Sequence, residues 1–145
     1  MVNWIKKAVR IFVDQPSGCA PRRAHEDDAG LDLYNTVPVW IKPHEREAID
    51  THVRVAIPKG YVGLVLPRSS LSRRGIDSVI GVIDAGYRGT VGVCLVNNTD
   101  KTICIDGGDR IAQLVVVPCL LKTKRVHSME LNTSRGTGGF GSTGK

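Results

Sequence analysis

The sequence predicts an all-β protein, a jelly-roll-like sandwich of two sheets with one short helix and a flexible, glycine-rich C-terminal arm. Three observations predict this fold class. One segment alternates strictly between apolar and polar residues, several short apolar segments are separated by turn residues, and only one stretch looks helical. The chain has 145 residues, of which 41% are hydrophobic. This length and content suit a single domain with a sizeable core and exclude wholesale disorder.

The clearest strand signal covers residues 48–57. An extended chain there carries apolar or β-branched side chains on one face and polar or small ones on the other. The first set is Ile49, Thr51, Val53, Val55 and Ile57, and the second is Ala48, Asp50, His52, Arg54 and Ala56. We therefore expect a strand with one buried face and one exposed face.

Turn residues divide the following apolar segments into short strands. Residues 58–60 precede YVGLVL, residues 97–100 separate TVGVCLV from KTICI, and residues 106–108 precede RIAQLVVV. Turns this close together are typical of sandwiches and jelly rolls. The single predicted helix is about two turns long, with Ser69 or Ser70 as its N-cap and Gly75 at its end.

Two of these strands are apolar on both faces, namely TVGVCLV and the segment with Val115, Val116 and Val117. A two-layer sandwich buries only one face of each sheet, so the outer face of such strands needs another cover. We expect a second copy of the chain to provide it. A loop or the other sheet is the alternative.

The net charge favours one class of partner, and the hydropathy pattern excludes a membrane span. A net charge of +6 favours an anionic partner, although the basic residues form no run longer than two. The longest apolar segment, residues 111–121, is interrupted by Gln113 and Pro118 and is too short for a membrane span. Arg10 interrupts the only segment that resembles a signal peptide. We therefore expect a cytoplasmic protein, or a nuclear one if its source is viral or eukaryotic.

The segment PRSSL, residues 67–71, offers a phosphate site. Arg68, Ser69 and Ser70 meet there at the predicted start of the helix, where the helix dipole favours negative charge. A capped helix with an exposed arginine is the alternative interpretation.

A catalytic carboxylate is predicted at Asp84. It follows the apolar residues 79–83 and precedes Tyr87 and Arg88, which places it at the tip of a predicted hairpin. Such a carboxylate can orient and deprotonate water. Aspartate before alanine and glycine is also an ordinary turn residue, and this is the simpler explanation of Asp84 alone.

Two further groups of polar residues accompany these segments. Glu26, Asp27, Asp28 and Asp32 offer hard oxygen ligands for Mg²⁺, through water, or else form a solvated acidic turn. Arg110 and Gln113 interrupt an otherwise apolar strand. Their spacing predicts opposite faces, with Arg110 paired to a carboxylate for structural reasons.

The tail RGTGGFGSTG combines glycines with Arg135, Phe140, Ser142 and Thr143. Most glycine-rich ends are simply flexible. Ordering ten such residues costs roughly 10 to 20 kcal/mol, whereas a charge-assisted hydrogen bond returns roughly 1.5 to 3 kcal/mol. We expect the tail to close only over a polyanionic ligand that bears a base.

Taken in order, five segments resemble the five motifs of the homotrimeric dUTP pyrophosphatase (dUTPase) family: AGLDLY, PRSSL, GVIDAGYRG, GDRIAQL and RGTGGFGSTG. The match spans residues 29–144. It implies the dUTPase-like β-clip form of the jelly roll, with a catalytic domain over residues 1–134. Residues 135–145 would form a mobile arm that closes a neighbouring subunit's site in a homotrimer with shared active sites.

The resemblance also implies an activity. A dUTPase hydrolyses dUTP to dUMP and pyrophosphate, which lowers dUTP and supplies dUMP for thymidylate synthesis. Mg²⁺ is the implied cofactor, carried mainly by the triphosphate, and Asp32 would hold it through water. Asp84 would align and activate the water that attacks the α-phosphorus.

Position in the motifs implies the remaining roles. Arg68, Ser69, Ser70 and Gln113 would line the phosphates, and Ser69 would donate to the departing pyrophosphate. Tyr87 would pack on the deoxyribose and exclude a 2′-hydroxyl. The backbone groups implied to pair with uracil, in a slot too tight for the thymine methyl, belong to Gly81, Val82 and Ile83.

The implied substrate-binding residues of the arm are Arg135, Phe140, Gly141, Ser142 and Thr143. In that assignment Arg135 grips the γ-phosphate together with the two hydroxyl side chains, and Phe140 stacks on the base.

Other functions stay open at the level of sequence. The dCTP deaminases are related in fold, but the complete fifth motif and DAGYRG favour the pyrophosphatase. A nucleic-acid-binding module would use Phe140 for stacking, but its tail has only Arg135 and Lys145 for charge, so no stable nucleic-acid binding is expected. An enzyme that also regulates another protein is compatible with the same sequence.

Overall fold

The computed structural model describes residues 8–13, 19–129 and 133–138. Within these ranges the chain forms short strands and one helix. In chain order they are β1 (Arg10–Val13), β2 (Leu31–Tyr34), β3 (Val39–Ile41), β4 (Arg46–Ala56), β5 (Tyr61–Leu66), α1 (Ser69–Ser72), β6 (Ile76–Ser78), β7 (Gly81–Ile83), β8 (Thr90–Asn97), β9 (Ile103–Ile105) and β10 (Arg110–Pro118).

Two four-stranded antiparallel sheets make up most of the fold. The first sheet has the order β1-β4-β8-β6 and the second β2-β10-β5-β7, while β3 and β9 form a separate pair. Buried side chains from both sheets form one core, among them Leu33, Val91, Leu95 and Leu114, all with 0% exposure. The prediction of an all-β sandwich is confirmed.

Strand β4 shows the expected alternation. Its predicted apolar face, from Ile49 to Val55, is buried, and Ile57 just beyond the strand is buried as well. Burial of the apolar side chains of this face in the shared core stabilises the strand. The predicted turns at residues 58–60 and 106–108 lie between strands, and the predicted turn at 97–100 begins at Asn97, the last residue of β8.

The helix is shorter than predicted and begins differently. α1 has 4 residues, Arg68 occupies the N-cap position, and no side chain caps the helix. Ser69 and Ser70 are therefore helical residues and not caps. A single turn is long enough to bury Leu71, the only buried residue of the helix. The chain then turns back at Gly75, whose φ of +80° suits glycine.

The predicted hairpin around Asp84 is not formed. β7 pairs with β5 in the second sheet, whereas β8 pairs with β4 and β6 in the first. Residues 84–89, which we call the crossover turn, therefore pass from one sheet to the other. Sequence-adjacent strands suggested a hairpin, but burial of Ile83 and Val91 in a shared core places their strands in facing layers.

A bulge in β10 corrects the prediction for Arg110 and Gln113. Arg110 lies opposite Tyr34 and Gln113 opposite Asp32, with a register shift between Arg110 and Ala112. One extra residue reverses the expected alternation. Both charged or polar side chains therefore share one face with Asp32, and consecutive burial of Ile111 and Ala112 marks the irregularity.

Away from Asp32 and Gln113, the outer face of the second sheet is apolar. Cross-strand partners share a face, and the register aligns Val82 with Leu64 and Val115, and Val62 with Val117. Val82 is 63% exposed and the other four are partly exposed. On β8, by contrast, the outward Val96 lies between Arg46 and Asp77.

The described part of the chain includes no helix with the length and apolarity needed to cross a membrane. Residues 119–129 and 133–138 contain neither strand nor helix. The division of the chain at residue 134 into a catalytic domain and an arm stays a prediction.

Candidate functional site

A polar cleft of about 360 Å³ lies where β2, the segment before α1 and β10 come together. Another cleft, of about 420 Å³, lies beside β1, but apolar side chains such as Leu31 and Leu114 dominate its lining. The polar cleft collects most of the predicted phosphate-binding residues. Its lining residues are Ala24, Asp28, Ala29, Gly30, Asp32, Arg68, Ser69, Ser70, Arg110 and Gln113.

Asp32 organises the charges of this cleft. Its Oδ1 lies 3.0 Å from Nε of Arg68, and its Oδ2 lies 3.3 Å from a terminal nitrogen of Arg110. The Asp32 side chain is 13% exposed, so both ion pairs are partly shielded from water. The carboxylate offsets the repulsion between the two guanidinium groups and so allows both to face one small cleft.

Gln113 is held by the loop before the helix. Its Nε2 donates a hydrogen bond to the Pro67 carbonyl at 3.0 Å. The amide oxygen points toward Gly30, because a Cβ added to Gly30 would overlap that oxygen and lie 3.1 Å from the Gln113 Cβ. The glycine at position 30 is therefore needed for this placement, a requirement that the sequence reasoning missed.

Arg110 is the other residue that sequence reasoning undervalued. Its predicted pairing with a carboxylate is confirmed, since Asp32 accepts its hydrogen bond at 3.3 Å. Its side chain also lines the cleft, and Arg68 donates to its backbone carbonyl at 3.3 Å. The neighbouring GD turn was the only local signal, and the bulge that turns Arg110 toward the cleft depends on pairing with a distant strand.

Ser69 and Ser70 present exposed hydroxyls at the cleft rim. Leu71, 7% exposed, anchors the short helix in the core. The two hydroxyls and the guanidinium groups of Arg68 and Arg110 together form a surface suited to phosphate oxygens.

Electrostatic contacts extend around the cleft. The Asp28 carboxylate accepts the backbone N–H of His25 at 2.9 Å, and this bond lowers the pKa of Asp28. Arg22, which lines an adjoining cleft with Arg110, donates to the Tyr34 hydroxyl at 3.1 Å. That hydrogen bond raises the pKa of Arg22, so the guanidinium stays charged.

The predicted catalytic residue Asp84 lies elsewhere. It is exposed in the crossover turn, and within the described part of the chain its carboxylate has no hydrogen-bond or ion-pair partner. Two hydrogen bonds stabilise the turn: the Tyr87 N–H donates to the Asp84 carbonyl at 3.0 Å, and the Arg88 guanidinium donates to the Ala85 carbonyl at 2.8 Å.

The strand register gives the distance between Asp84 and the Gln113 side of the polar cleft. Gln113 lies opposite Leu66 at one end of β5, whereas Ile83, just before Asp84, lies opposite Gly63. Three residues of extended strand correspond to about 10 Å, and Asp84 continues in the direction away from the cleft. Within one copy of the chain, Asp84 therefore does not reach the polar cleft.

Residues 81–83 form the edge of the second sheet. Among the described strands β7 pairs only with β5, so one row of its backbone N–H and C=O groups faces away from the sheet. Ile83 is buried, Gly81 is partly buried and Val82 is exposed. A free strand edge beside apolar surface suits a flat ligand with donors and acceptors on its rim.

The arm is described only in part. Arg135 is exposed in a turn, where its Nε donates to the Gly138 carbonyl at 3.0 Å, and it is absent from the cleft lining. The predicted contacts Phe140, Gly141, Ser142 and Thr143 lie outside the described residues.

The cleft supplies donors that suit Mg²⁺ bound to a phosphate ligand. No group of three or more His, Cys, Asp or Glu side chains with metal-binding geometry occurs among the described residues. Asp28 and Asp32 place two carboxylates in the cleft. Mg²⁺ commonly takes one or two carboxylates, water and substrate phosphates, so these residues fit a metal that arrives with the ligand.

Comparison with known proteins identifies relatives over nearly the whole chain. The dUTPase family model matches residues 17–144. The chain is 46% identical over 145 residues to the deoxyuridine 5′-triphosphate nucleotidohydrolase of Mycolicibacterium gilvum, covering 94% of this chain and 92% of the relative. It is 42% identical over 141 residues to the enzyme of the same name from Variola virus, covering 97% and 95%.

Solved structures agree with the sequence relatives. The dUTPase of Staphylococcus bacteriophage 80alpha with dUpNHpp superposes with a TM-score of 0.89 at 32% identity, covering 95% of this chain and 99% of that one. A mutant dUTPase from phage phi11 of S. aureus, which shows the coordination of a structural Mg(II) ion, has a TM-score of 0.77, covering 83% and 97%. With the motifs, the sandwich and the polar cleft in agreement, the chain belongs to the dUTPase family.

Proposed function

We propose that the protein hydrolyses dUTP to dUMP and pyrophosphate at a site that two copies of the chain assemble and a third closes. The observation that supports this most directly is the cleft in which Arg68, Arg110 and Gln113 converge around Asp32. Membership of the dUTPase family supports the substrate class, and the charged lining of the cleft supports a phosphate site there.

Phosphates occupy the cleft in this proposal. Arg68 and Arg110 neutralise phosphate charge, the Ser69 and Ser70 hydroxyls donate to phosphate oxygens, and the Gln113 amide adds a neutral contact. Ser69 faces the departing pyrophosphate, where negative charge grows as the bond breaks. Donors placed where charge develops lower the barrier more than they strengthen ground-state binding.

Asp32 would hold, through water, a Mg²⁺ ion that is carried mainly by the triphosphate. When bound, the ion neutralises phosphate charge and orients the leaving pyrophosphate. Asp32 already pairs with two arginines, at 3.0 and 3.3 Å, so binding of the anion exchanges these ion pairs for phosphate contacts. The arginines are thereby kept in the cleft before the substrate arrives.

Asp84 supplies the base in the chemical step. Its carboxylate accepts a proton from water as the water oxygen bonds to the α-phosphorus. The bond from that phosphorus to the bridging oxygen of the β-phosphate breaks, and pyrophosphate leaves with the electron pair. An exposed carboxylate with no partner in the described chain is free to take this position.

A homotrimer accounts for the separation of Asp84 from the phosphate cleft. The outer apolar face, formed by Val62, Leu64, Val82, Val115 and Val117, needs a cover and ends beside Asp32 and Gln113. A second copy packed on this face would bring its crossover turn toward the cleft. The apolar contact would stabilise the assembly by about 25 cal/mol per Å² buried.

Strand β7 and the crossover turn recognise the base and the sugar. The free edge of β7, residues 81–83, pairs through its backbone with the donors and acceptors of uracil, and the adjoining walls leave no space for a 5-methyl group. Tyr87 packs on deoxyribose and excludes a 2′-hydroxyl. A steric wall rejects a group more strongly than the loss of an apolar contact, worth about 1 to 3 kcal/mol per methylene.

Residues 135–145 of a neighbouring copy close the site. Arg135 binds the γ-phosphate with Ser142 and Thr143, Gly141 also contacts the substrate, and Phe140 stacks on the base. Base–aromatic stacking is worth about 1 to 3 kcal/mol, which helps to offset the entropy lost by the glycines.

Pyrophosphate release with Mg²⁺ tests the proposal. We expect saturable turnover of dUTP and far slower turnover of dTTP, dCTP and UTP at equal concentrations. Equal rates on all four nucleotides would contradict the proposed base and sugar contacts. No turnover of dUTP by a folded oligomer would contradict the proposed activity itself.

Gly30→Ala should lower activity by displacing Gln113. A new Cβ would overlap the Gln113 amide oxygen, so the side chain must leave its bond to the Pro67 carbonyl. Loss of one such contact corresponds to about a tenfold fall in kcat/KM. Gly92→Ala is the matched control, since a Cβ there meets only the Ile49 carbonyl oxygen, at an ordinary 3.9 Å. A wild-type kcat/KM in Gly30→Ala would contradict the role of Gln113.

A further inference from the structure

Contacts on two sides hold the ring of Tyr87, although the residue is 43% exposed. Its hydroxyl donates to the Thr90 carbonyl at 2.9 Å. The ring also lies across Gly89: a Cβ added there would overlap the hydroxyl and lie 2.6 Å from Cζ. The φ of Gly89 is outside the left-handed region, so the Tyr87 ring, and not the backbone, requires glycine at this position.

Thr90 is in turn tied to an irregular part of β4. Its Oγ1 donates to Oδ2 of Asp50 at 3.0 Å. Asp50 pairs with Gly92 and Arg54 with Thr90, so residues 51–53 of β4 face Val91 alone. Asp50 thus lies at one end of a bulge and Thr90 at the other.

Local hydrogen bonds stabilise this bulge. His52 has a φ of +55°, a left-handed conformation that is unfavourable for a residue with a side chain. Its N–H donates to Oδ1 of Asp50 at 2.7 Å, and the buried Thr51 hydroxyl donates to the Val91 carbonyl at 2.7 Å. The Asp50 carboxylate therefore links the strained backbone at His52 to the Thr90 hydroxyl, and the Thr90 carbonyl in turn accepts the hydrogen bond of Tyr87.

We propose that Asp50, acting through Thr90, and Gly89 are positioning residues for Tyr87 and set the preference for 2′-deoxyribose over ribose. This inference rests on the proposed function, in which Tyr87 packs on the sugar. An exposed aromatic side chain exchanges between rotamers unless contacts fix it. A ring that excludes a hydroxyl must stay in one place, because displacement of the ring admits the hydroxyl.

Substitutions along the chain of hydrogen bonds test the inference through selectivity. Thr90→Val removes Oγ1 and keeps the shape, whereas Thr90→Ser keeps the hydroxyl. We expect Thr90→Val to lower the ratio of kcat/KM for dUTP to that for UTP by about tenfold. Thr90→Ser should retain the ratio. Thr102→Val, at an exposed threonine before β9, is the matched control.

Asp50 is tested in the same way. Asp50→Ala should reduce the ratio as much as Thr90→Val, and the double variant should lose no more than either single variant, because both break one connection. Wild-type selectivity in both folded single variants would overturn the proposal, as would additive losses.

A double-mutant cycle separates positioning from general stability at Gly89. Gly89→Ala should lower selectivity when Tyr87 is present and have no effect on it in a Tyr87→Ala background. Equal effects in both backgrounds would overturn the role of Gly89 in placing the ring.

A measurement independent of turnover distinguishes this inference from the proposed function. The protein has 3 tyrosines, so incorporated 3-fluorotyrosine gives a simple ¹⁹F NMR spectrum, in which Tyr87→Phe identifies the signal of interest. Thr90→Val should broaden or shift that signal, and Thr90→Ser should not. An unchanged signal in Thr90→Val overturns the positioning role even if dUTP is hydrolysed. A wild-type protein inactive on dUTP refutes the proposed function but leaves the NMR result valid.

Discussion

Replacing Asp84 by asparagine is expected to lower kcat for dUTP by roughly 10²- to 10⁴-fold, the usual contribution of a general base. Asparagine keeps the size of the side chain but does not accept the water proton. Asp84 is exposed in the crossover turn, so the change should leave the core and the melting temperature unaffected. Steady-state pyrophosphate release measures kcat, and binding of dUpNHpp shows whether the nucleotide site is retained.

Asp100→Asn is the matched control for Asp84→Asn. Asp100 lies in the turn between β8 and β9, and its side chain is 96% exposed beside His44 at 2.9 Å. Exposed pairs of this kind contribute little to stability, so turnover should match that of the unchanged protein. A fully active Asp84→Asn enzyme would show that another group takes the proton.

Removal of residues 135–145 is expected to reduce kcat/KM for dUTP by about 100-fold while the sandwich stays folded. The loss of charge-assisted hydrogen bonds worth about 1.5 to 3 kcal/mol each is only partly offset by the entropy no longer lost on closure. The core residues that the structure describes lie between Leu31 and Leu114, and none of them belongs to the arm. Thermal unfolding and sedimentation check folding and assembly, and pyrophosphate release checks activity.

Arg135→Ala and Phe140→Ala in the full-length chain separate the contributions of the arm. Arg135→Ala should mainly raise KM and lower kcat through the phosphate contact, and Phe140→Ala should mainly affect binding through stacking. A truncated chain that unfolds would contradict the division of the chain at residue 134. A truncated chain of full activity would contradict the closing role.

Several features were predictable because they depend on short-range patterns. The alternation at residues 48–57 predicted β4 and its buried face, and turn residues predicted the ends of β5, β8 and β10. PRSSL predicted a phosphate site and Asp32 a ligand for Mg²⁺, and the polar cleft is lined by Asp32, Arg68, Ser69 and Ser70. Family membership also followed from motif order, since the five motifs lie within the matched residues 17–144.

The errors share one physical cause. Asp84 was predicted on a hairpin, but β7 and β8 pair in different sheets. Arg110 and Gln113 were predicted on opposite faces, but a bulge places both beside Asp32. Strand pairing and bulges are decided by partners distant in the sequence, and a one-residue change of register moves a side chain to the other face.

The sequence alone therefore determined the all-β class, the strand segments, the family and the kinds of residue that handle an anion. The tertiary structure alone decided which of those residues meet: Asp32 with two arginines, Gln113 against Gly30, and Asp84 on a crossover turn away from the cleft. The physical reason is that side-chain chemistry and local periodicity are properties of short segments. The meeting of side chains depends on long-range pairing between sheets and on the bulges that adjust it.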